Sequence, residues 1–255
     1  DTVEAHAPVT ITRIVEVDAE RTAALTELSR ERGVTLSTIV STAWALLLAG
    51  MTGKTDVVFG TTVSGRPAEI AGVETMLGLF INTLPVRVRL DPAESLGALL
   101  DRVQTQQTEL LDHQYLGLAE IQHATGVGAL FDTVTVFESY PIDAGELSNT
   151  MDIAGVRVTD VAAHDDTHYP LTLMARPGER LVAELKALES VFDAAALDVL
   201  AQRYAAILDA FAAAHALGQQ VRGAGVGEQQ AAVAQQQLAH PNLAAISRPH
   251  QRAAA

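Results

Sequence analysis

Along the chain, apolar positions switch repeatedly between a two-residue period and a period near 3.6. Those switches predict alternating strands and helices. Residues 10–17, TITRIVEV, alternate as a half-buried strand does. Asp18 then offers an N-cap, Leu25 and Leu28 form a short apolar stripe, and Gly33 supplies a stop, which predicts a helix between them. In the next run, LSTIVSTAWALLLAGMTG, Leu36, Ile39, Val40, Ala43 and Leu47 recur at helical spacing around Trp44. No charge falls between Leu36 and Gly53, so this helix is predicted to be covered by protein on most faces. Residues 56–63 read as a strand with few polar breaks, suited to a central place in a sheet.

A second strand is predicted over 81–90. Asp91-Pro92 then turns the chain, and Ser95 caps an amphipathic helix with Leu96, Leu99, Leu100, Val103, Leu110 and Leu111 on one side. A shorter helix is expected over 117–124. Strands follow at 132–138, near 154–162, at 170–176 and at 180–188, the last two joined by the turn Arg176-Pro177-Gly178-Glu179. Asp193 caps a final helix whose inner face is Leu197, Leu200, Tyr204, Leu208 and Phe211. The sum is an α/β domain, a mixed sheet flanked by helices, over residues 1–217. Residues 218–255 are rich in Gln, Ala and Gly and have few large apolar side chains. Such a segment cannot offset its ordering entropy, so it is expected to be a disordered tail or linker.

Composition narrows the classes of function. Of 255 residues, 48% are hydrophobic but only 4% aromatic, so aliphatic packing must dominate the core. The formal net charge of −14 repels phosphate backbones and anionic lipid, which argues against nucleic acid and membrane as partners. Zero Cys excludes disulfides, thiol nucleophiles and Cys-based zinc sites, and suits a cytoplasmic setting. The N-terminal DTVEAHAPVT has neither the basic nor the apolar region of a signal peptide. The longest apolar stretch, around Ala43 to Met51, is shorter than the roughly 20 residues of a membrane span.

Two segments carry the chemistry. Residues 56–67 read DVVFGTTVSGRP and residues 78–88 read GLFINTLPVRV, each a β-rich run closed by turn residues. Together they resemble the C-terminal half of a condensation domain of nonribosomal peptide synthetases. Three further elements support the resemblance: Asp112-His113-Gln114-Tyr115-Leu116, Leu130-Phe131-Asp132 through Phe137-Glu138-Ser139-Tyr140-Pro141, and His168-Tyr169-Pro170-Leu171-Thr172-Leu173. It runs from about residue 5 to about residue 216. It implies one lobe of a chloramphenicol-acetyltransferase-like two-lobed fold, in which two carrier-borne thioester substrates meet and an amide bond forms.

The resemblance assigns roles by position. Ser64, Gly65 and Arg66 correspond to the root of a loop that floors the substrate tunnel, and Asn82 and Thr83 are assigned to the same tunnel. Asn82 has both donor and acceptor capacity, which suits orienting a thioester and an amine; its structural alternative is to bond to neighbouring backbone and fix a strand end. Arg66 suits an ion pair across the lobe interface or a phosphopantetheine phosphate, the ion pair being preferred. Phe137, Tyr140, His168 and Tyr169 fall where the lobes meet and latch. His113 lies where a cation is favourable, near a helix C-terminus.

The family's catalytic HHxxxDG signature is absent, since none of the eight His residues neighbours another. No catalytic residue is therefore assigned, and the chain alone is expected to be inactive. The resemblance implies no directly bound cofactor. It places substrates on phosphopantetheine arms, and it names as partners an N-terminal lobe, peptidyl carrier proteins and an adjoining adenylation domain. Alternatives are a noncatalytic carrier-binding or docking module, the lobe of an epimerisation domain, or an unrelated α/β protein with a site at His164 to His168. No metal is assigned there, because an H-x-x-x-H pair without a third ligand is a weak signal. Ser64 lies outside any G-x-S-x-G elbow, and no G-x-x-x-x-G-K loop occurs.

Overall fold

The computed structural model describes residues 9–66, 70–138, 152–153, 156–157 and 168–223. A six-stranded mixed sheet runs in the order β1-β8-β7-β4-β2-β3. Its strands are β1 (Thr10–Val17), β2 (Asp56–Val63), β3 (Asn82–Arg89), β4 (Thr133–Phe137), β7 (Leu171–Arg176) and β8 (Leu181–Leu188). The helices are α1 (Ala19–Arg32), α2 (Leu36–Thr52), α3 (Leu96–Leu111), α4 (Leu118–Thr125) and α5 (Ala194–Gly223). β2 pairs antiparallel with β3 and parallel with β4, and β4 pairs parallel with β7. The parallel pairs need crossovers, and the one between β2 and β4 runs through β3, α3 and α4. β2 is thus an interior strand, one place in from the β3 edge.

The local signals behave as their chemistry requires. Asp18, Thr35 and Ser95 accept hydrogen bonds from the backbone N–H groups of Arg21, Thr38 and Ala98, capping α1, α2 and α3. Asp193 Oδ1 accepts from the Ala196 N–H at 2.7 Å at the start of α5. Gly33 closes α1 at φ 66°, the left-handed region that glycine enters most easily. Every residue of α2 from Thr38 to Leu48 is buried. Trp44 meets the edge of Tyr204 on α5, with ring centroids 6.1 Å apart and planes at 77°. The Tyr204 hydroxyl donates to the Val40 carbonyl at 3.2 Å, and complete burial pushes its phenol pKa up. Thr22 Oγ1 donates to the Val17 carbonyl and accepts from the Leu181 N–H, tying α1 to β1 and β8.

Three expectations are refined. On α3, Leu99, Leu100 and Val103 are buried and Leu96 and Leu110 pack against the core, but Leu111, the last residue of the helix, is exposed. Of the strand expected near 154–162 only Val156 and Arg157 are described, as the short strand β6 (Val156–Arg157) paired antiparallel with β5 (Asp152–Ile153) in a separate sheet; residues 154–155 and 158–162 lie outside the described residues. α5 continues past Leu217 to Gly223, beyond the composition break, because its Ala- and Gln-rich end retains helix propensity without large apolar side chains. Ser139, Tyr140, Pro141, His164 to Thr167 and residues 224–255 lie outside the described residues, and so does Pro67.

Candidate functional site

β2 and β3 form a long-looped hairpin in which Val63 pairs with Asn82 and Thr62 with Thr83. The register therefore brings Ser64, Gly65 and Arg66 close to Asn82 and Thr83. What holds them is the turn after α3. The Gln114 side chain is buried, at 7% exposure. Its Oε1 accepts from Ser64 Oγ at 3.3 Å, and its Nε2 donates to the Arg66 carbonyl at 3.4 Å. The Asn82 amide reaches the same turn from the other strand, donating to the carbonyls of Gln114 at 2.9 Å and Leu116 at 2.6 Å. Asn82 Oδ1 accepts from the Thr83 N–H at 2.8 Å.

Both Asn82 donor hydrogens are thus committed to backbone. These are the contacts of the structural alternative: Asn82 fixes the start of β3 to the 113–116 turn. The physical reason is that this turn presents two carbonyls at the strand end, and an amide NH₂ is the side-chain group that satisfies both at once.

Gly65 adopts φ 62° and passes directly beneath Phe80. A Cβ at Gly65 would lie 1.7 Å from the Phe80 carbonyl oxygen, so only glycine fits this approach. Within this chain Arg66 makes other contacts than the cross-lobe ion pair preferred for it. Among the described residues no carboxylate pairs with it; instead its Nη1 donates to the carbonyls of Val73 and Met76, and its guanidinium lies 4.2 Å from the centre of the Phe80 ring. A planar cation with donors at its rim suits a ring face and carbonyls together. The 3-10 turn Val73–Thr75 is held from inside by this contact. Beyond it, Leu77, Leu79 and Ile81 are 101%, 100% and 70% exposed, with Met76 and Ile70 also exposed.

A second group of side chains lies on the sheet beside this loop root. A Cβ at Gly60 would sit 2.5 Å from the Phe131 ring and 2.9 Å from Thr83 Cγ2, so the missing side chain makes the seat for Phe131 against Thr83. Tyr169 packs on Phe131 at 5.7 Å between centroids, and the exposed His168 stacks on Tyr169 at 4.2 Å. Partial burial pushes the Tyr169 phenol pKa up. Phe137 lies at the other end of the β4–β7 pair, paired with Ala175 and packed against the core. The expected latch residues are thus split, His168 and Tyr169 at one end and Phe137 at the other. His113 is exposed in the turn, where its N–H donates to the Leu110 carbonyl. Gln114, Phe80 and Phe131 are the residues that sequence reasoning gave no separate role. The signal for Gln114 lay in the Asp112–Leu116 element, where an amide stood one residue from the more conspicuous His.

The described elements thus form a six-stranded mixed sheet with helices against it and a pinned loop leaving β2. Residues 8–222 match the family model for the condensation domain. The chain is 42% identical over 181 residues to chondramide synthase cmdD of Chondromyces crocatus, covering 70% of this chain and 4% of that protein. It is 40% identical over 174 residues to surfactin synthase subunit 3 of Bacillus subtilis (strain 168), covering 68% of this chain and 14% of that one. Two solved structures share the fold at 21% identity and 83% coverage of this chain. The first condensation domain of the CDA synthetase does so at TM-score 0.62 over 47% of its length. The condensation domain of the Monacolin K polyketide synthase MokA does so at TM-score 0.68 over 50% of its length. This chain belongs to the condensation-domain family. It spans only a small part of its curated relatives and about half of these two structures.

Proposed function

We propose that this chain is the C-terminal lobe of a condensation domain and acts by completing a substrate tunnel with an N-terminal lobe. The observation that carries this reading is the pinned loop root: Ser64, Gly65, Arg66, Asn82 and Gln114 hold an apolar tip, Leu77, Leu79 and Ile81, out into solvent. Burying a leucine side chain gains about 1.5–3 kcal/mol, so a partner surface over this tip offsets part of the cost of association. The match to about half of two solved condensation domains supports the same reading.

In this reading the chemistry is amide formation between carrier-borne substrates. The acceptor amine nitrogen attacks the thioester carbonyl of the donor, a C–N bond forms, and the C–S bond breaks. The amine proton leaves and the phosphopantetheine thiol is released. The N-terminal lobe supplies the His of HHxxxDG that promotes attack. This chain supplies the floor loop and a sheet wall carrying Phe131, Tyr169 and His168. Peptidyl carrier proteins and an adjoining adenylation domain are the partners this chemistry requires.

Reconstitution tests it. The chain is mixed with an HHxxxDG-bearing lobe and two loaded carrier proteins, and amide product is followed by mass spectrometry. Product from the mixture, and none from either lobe alone, is expected. Stable docking of the lobes without product would favour a noncatalytic docking module instead; no docking at all would sink the lobe reading.

A further inference from the structure

From the loop root we infer that Gln114 and Arg66 are positioning residues that pre-organise residues 70–81 as a docking element, one acting from outside the loop and one from inside. This rests on the lobe reading above for its partner, but not for its geometry.

A segment carrying Ile70, Met76, Leu77, Leu79 and Ile81 gains nothing from standing in water. Left to itself it would collapse onto neighbouring apolar surface. Two polar devices oppose this. Gln114 joins the residues that begin the excursion, through Ser64 Oγ and the Arg66 carbonyl, to the turn that also receives Asn82 where the excursion ends. Both roots therefore share one anchor. Arg66 then reaches into the loop, donating to Val73 and Met76 carbonyls while lying over Phe80. Those carbonyls belong to a turn whose own N–H groups at Val73, Thr75 and Met76 are paired to Ile70, Gly72 and Val73 carbonyls. The cation therefore holds a folded turn, and the turn fixes where the apolar tip begins. Gln114 suits its place for a specific reason: one end must accept and the other donate, and it does so buried, where an unpaired polar end is costly. A charged carboxylate of the same length would keep the Ser64 contact and turn an oxygen toward the Arg66 carbonyl.

Pre-organisation matters because ordering a loop at the moment of docking subtracts from affinity. The prediction is a separation of local order from global stability. Hydrogen exchange is measured by mass spectrometry on the whole chain, for wild type and for Gln114→Ala, Gln114→Glu, Arg66→Ala, Arg66→Lys and Ser64→Ala. Peptides within 70–81 should exchange at least about tenfold faster in Gln114→Ala and Arg66→Ala, since each loses two hydrogen bonds and one of ordinary net strength already accounts for about that factor. Gln114→Glu should resemble Gln114→Ala. Ser64→Ala, which removes only one of the two Gln114 contacts, should show a smaller rise. Arg66→Lys should recover part of the protection, because an ammonium can still reach a carbonyl. Peptides from α2, β8 and α5 should be unchanged in all of them.

Unchanged exchange over 70–81 in both Ala variants would overturn the inference. So would a rise spread evenly over the core, since that is what simple destabilisation produces. Docking to an HHxxxDG-bearing lobe, measured in parallel, should weaken at least about tenfold in the same two variants, the same lost bonds being read as affinity. If the wild-type chain does not dock, the lobe reading fails on its own, and the exchange pattern still decides whether the clamp exists.

Discussion

In the layer between α2 and α5, Trp44, Leu47, Tyr204, Leu208 and Phe211 pack against one another and the sheet with essentially no exposed surface. At the root of the 70–81 segment the materials are inverted: Ser64, Gln114, Arg66 and Asn82 bond to backbone, and the large apolar side chains point outward. The first region is held by burial, which is non-directional and tolerates modest changes in shape. The second is held by a few directional bonds, each needing a particular donor or acceptor. The difference teaches where function is to be sought. A fold can be kept by many sequences, whereas a polar clamp that displays apolar residues makes sense only if something comes to cover them.

The largest effect should come from the core. Trp44→Ala removes the ring against Tyr204 and should cost about 3–5 kcal/mol, which for a domain of this size lowers Tm by about 6–20 °C in a thermal melt. Exchange protection in 70–81, measured well below the new Tm, should keep its wild-type value. A loop that loosened as much as the core would break the comparison, because the two regions would then be one cooperative unit.

Asn82 gives a sharper test. Asn82→Ala leaves the Gln114 and Leu116 carbonyls without their donor, at a cost of about 1–3 kcal/mol. Asn82→Asp should be worse than Ala, since it turns carboxylate oxygens toward two carbonyls with no proton between them. Denaturant melts of the three proteins would order them wild type, Ala, Asp. An Asp variant as stable as wild type would show that the amide is not the strand anchor, and would return it to the substrate-facing role the motif suggested.

Gly65→Ala probes the same root through backbone. The left-handed φ costs about 1–2 kcal/mol for any residue with a Cβ, and the approach to Phe80 adds to it. The expected outcome is faster exchange over 70–81 with little change in the exchange of α2 and α5. Equal exchange in the two proteins would mean that Phe80 yields easily and the clamp is loose.

The core was almost fully legible in the sequence. The uncharged run from Leu36 to Gly53 announced a buried helix, and Asp18, Ser95, Asp193 and Gly33 marked ends that the structure keeps. Such signals are local, periodic and chemical. The strands that carry these motifs were legible too, and their antiparallel register brings Ser64 to Arg66 close to Asn82 and Thr83. What could not be read was partner choice. Nothing local distinguishes an Arg66 that meets a carboxylate from one that meets two carbonyls and a ring, and nothing near Asn82 in sequence announces the distant turn, Gln114 to Leu116, that satisfies it. His113 attracted attention by its chemistry, while the neighbouring Gln114 carried the contacts.

The smallest effect concerns charge, and it extends the comparison to the surface. Asp56 bonds to the Arg87 guanidinium at 2.9 and 2.7 Å, which holds its carboxyl below the usual carboxylate range, with further help from the charges of Arg87 and Arg89. Asp198, bonded to Arg13, is lowered in the same way. A depressed folded-state pKa means that these pairs stabilise the fold above the ordinary aspartate pKa of about 4, and that the contribution fades as pH falls below it. Both carboxylates are solvent-exposed, so screening keeps the effect small. A Tm series from neutral pH down to about pH 3 should therefore fall slightly less steeply in Asp56→Asn than in wild type, with the two curves converging at the acid end. Added salt should shrink the gap between them at neutral pH. A gap that persists unchanged in high salt would place Asp56 with the directional contacts of the loop root rather than with the screened surface.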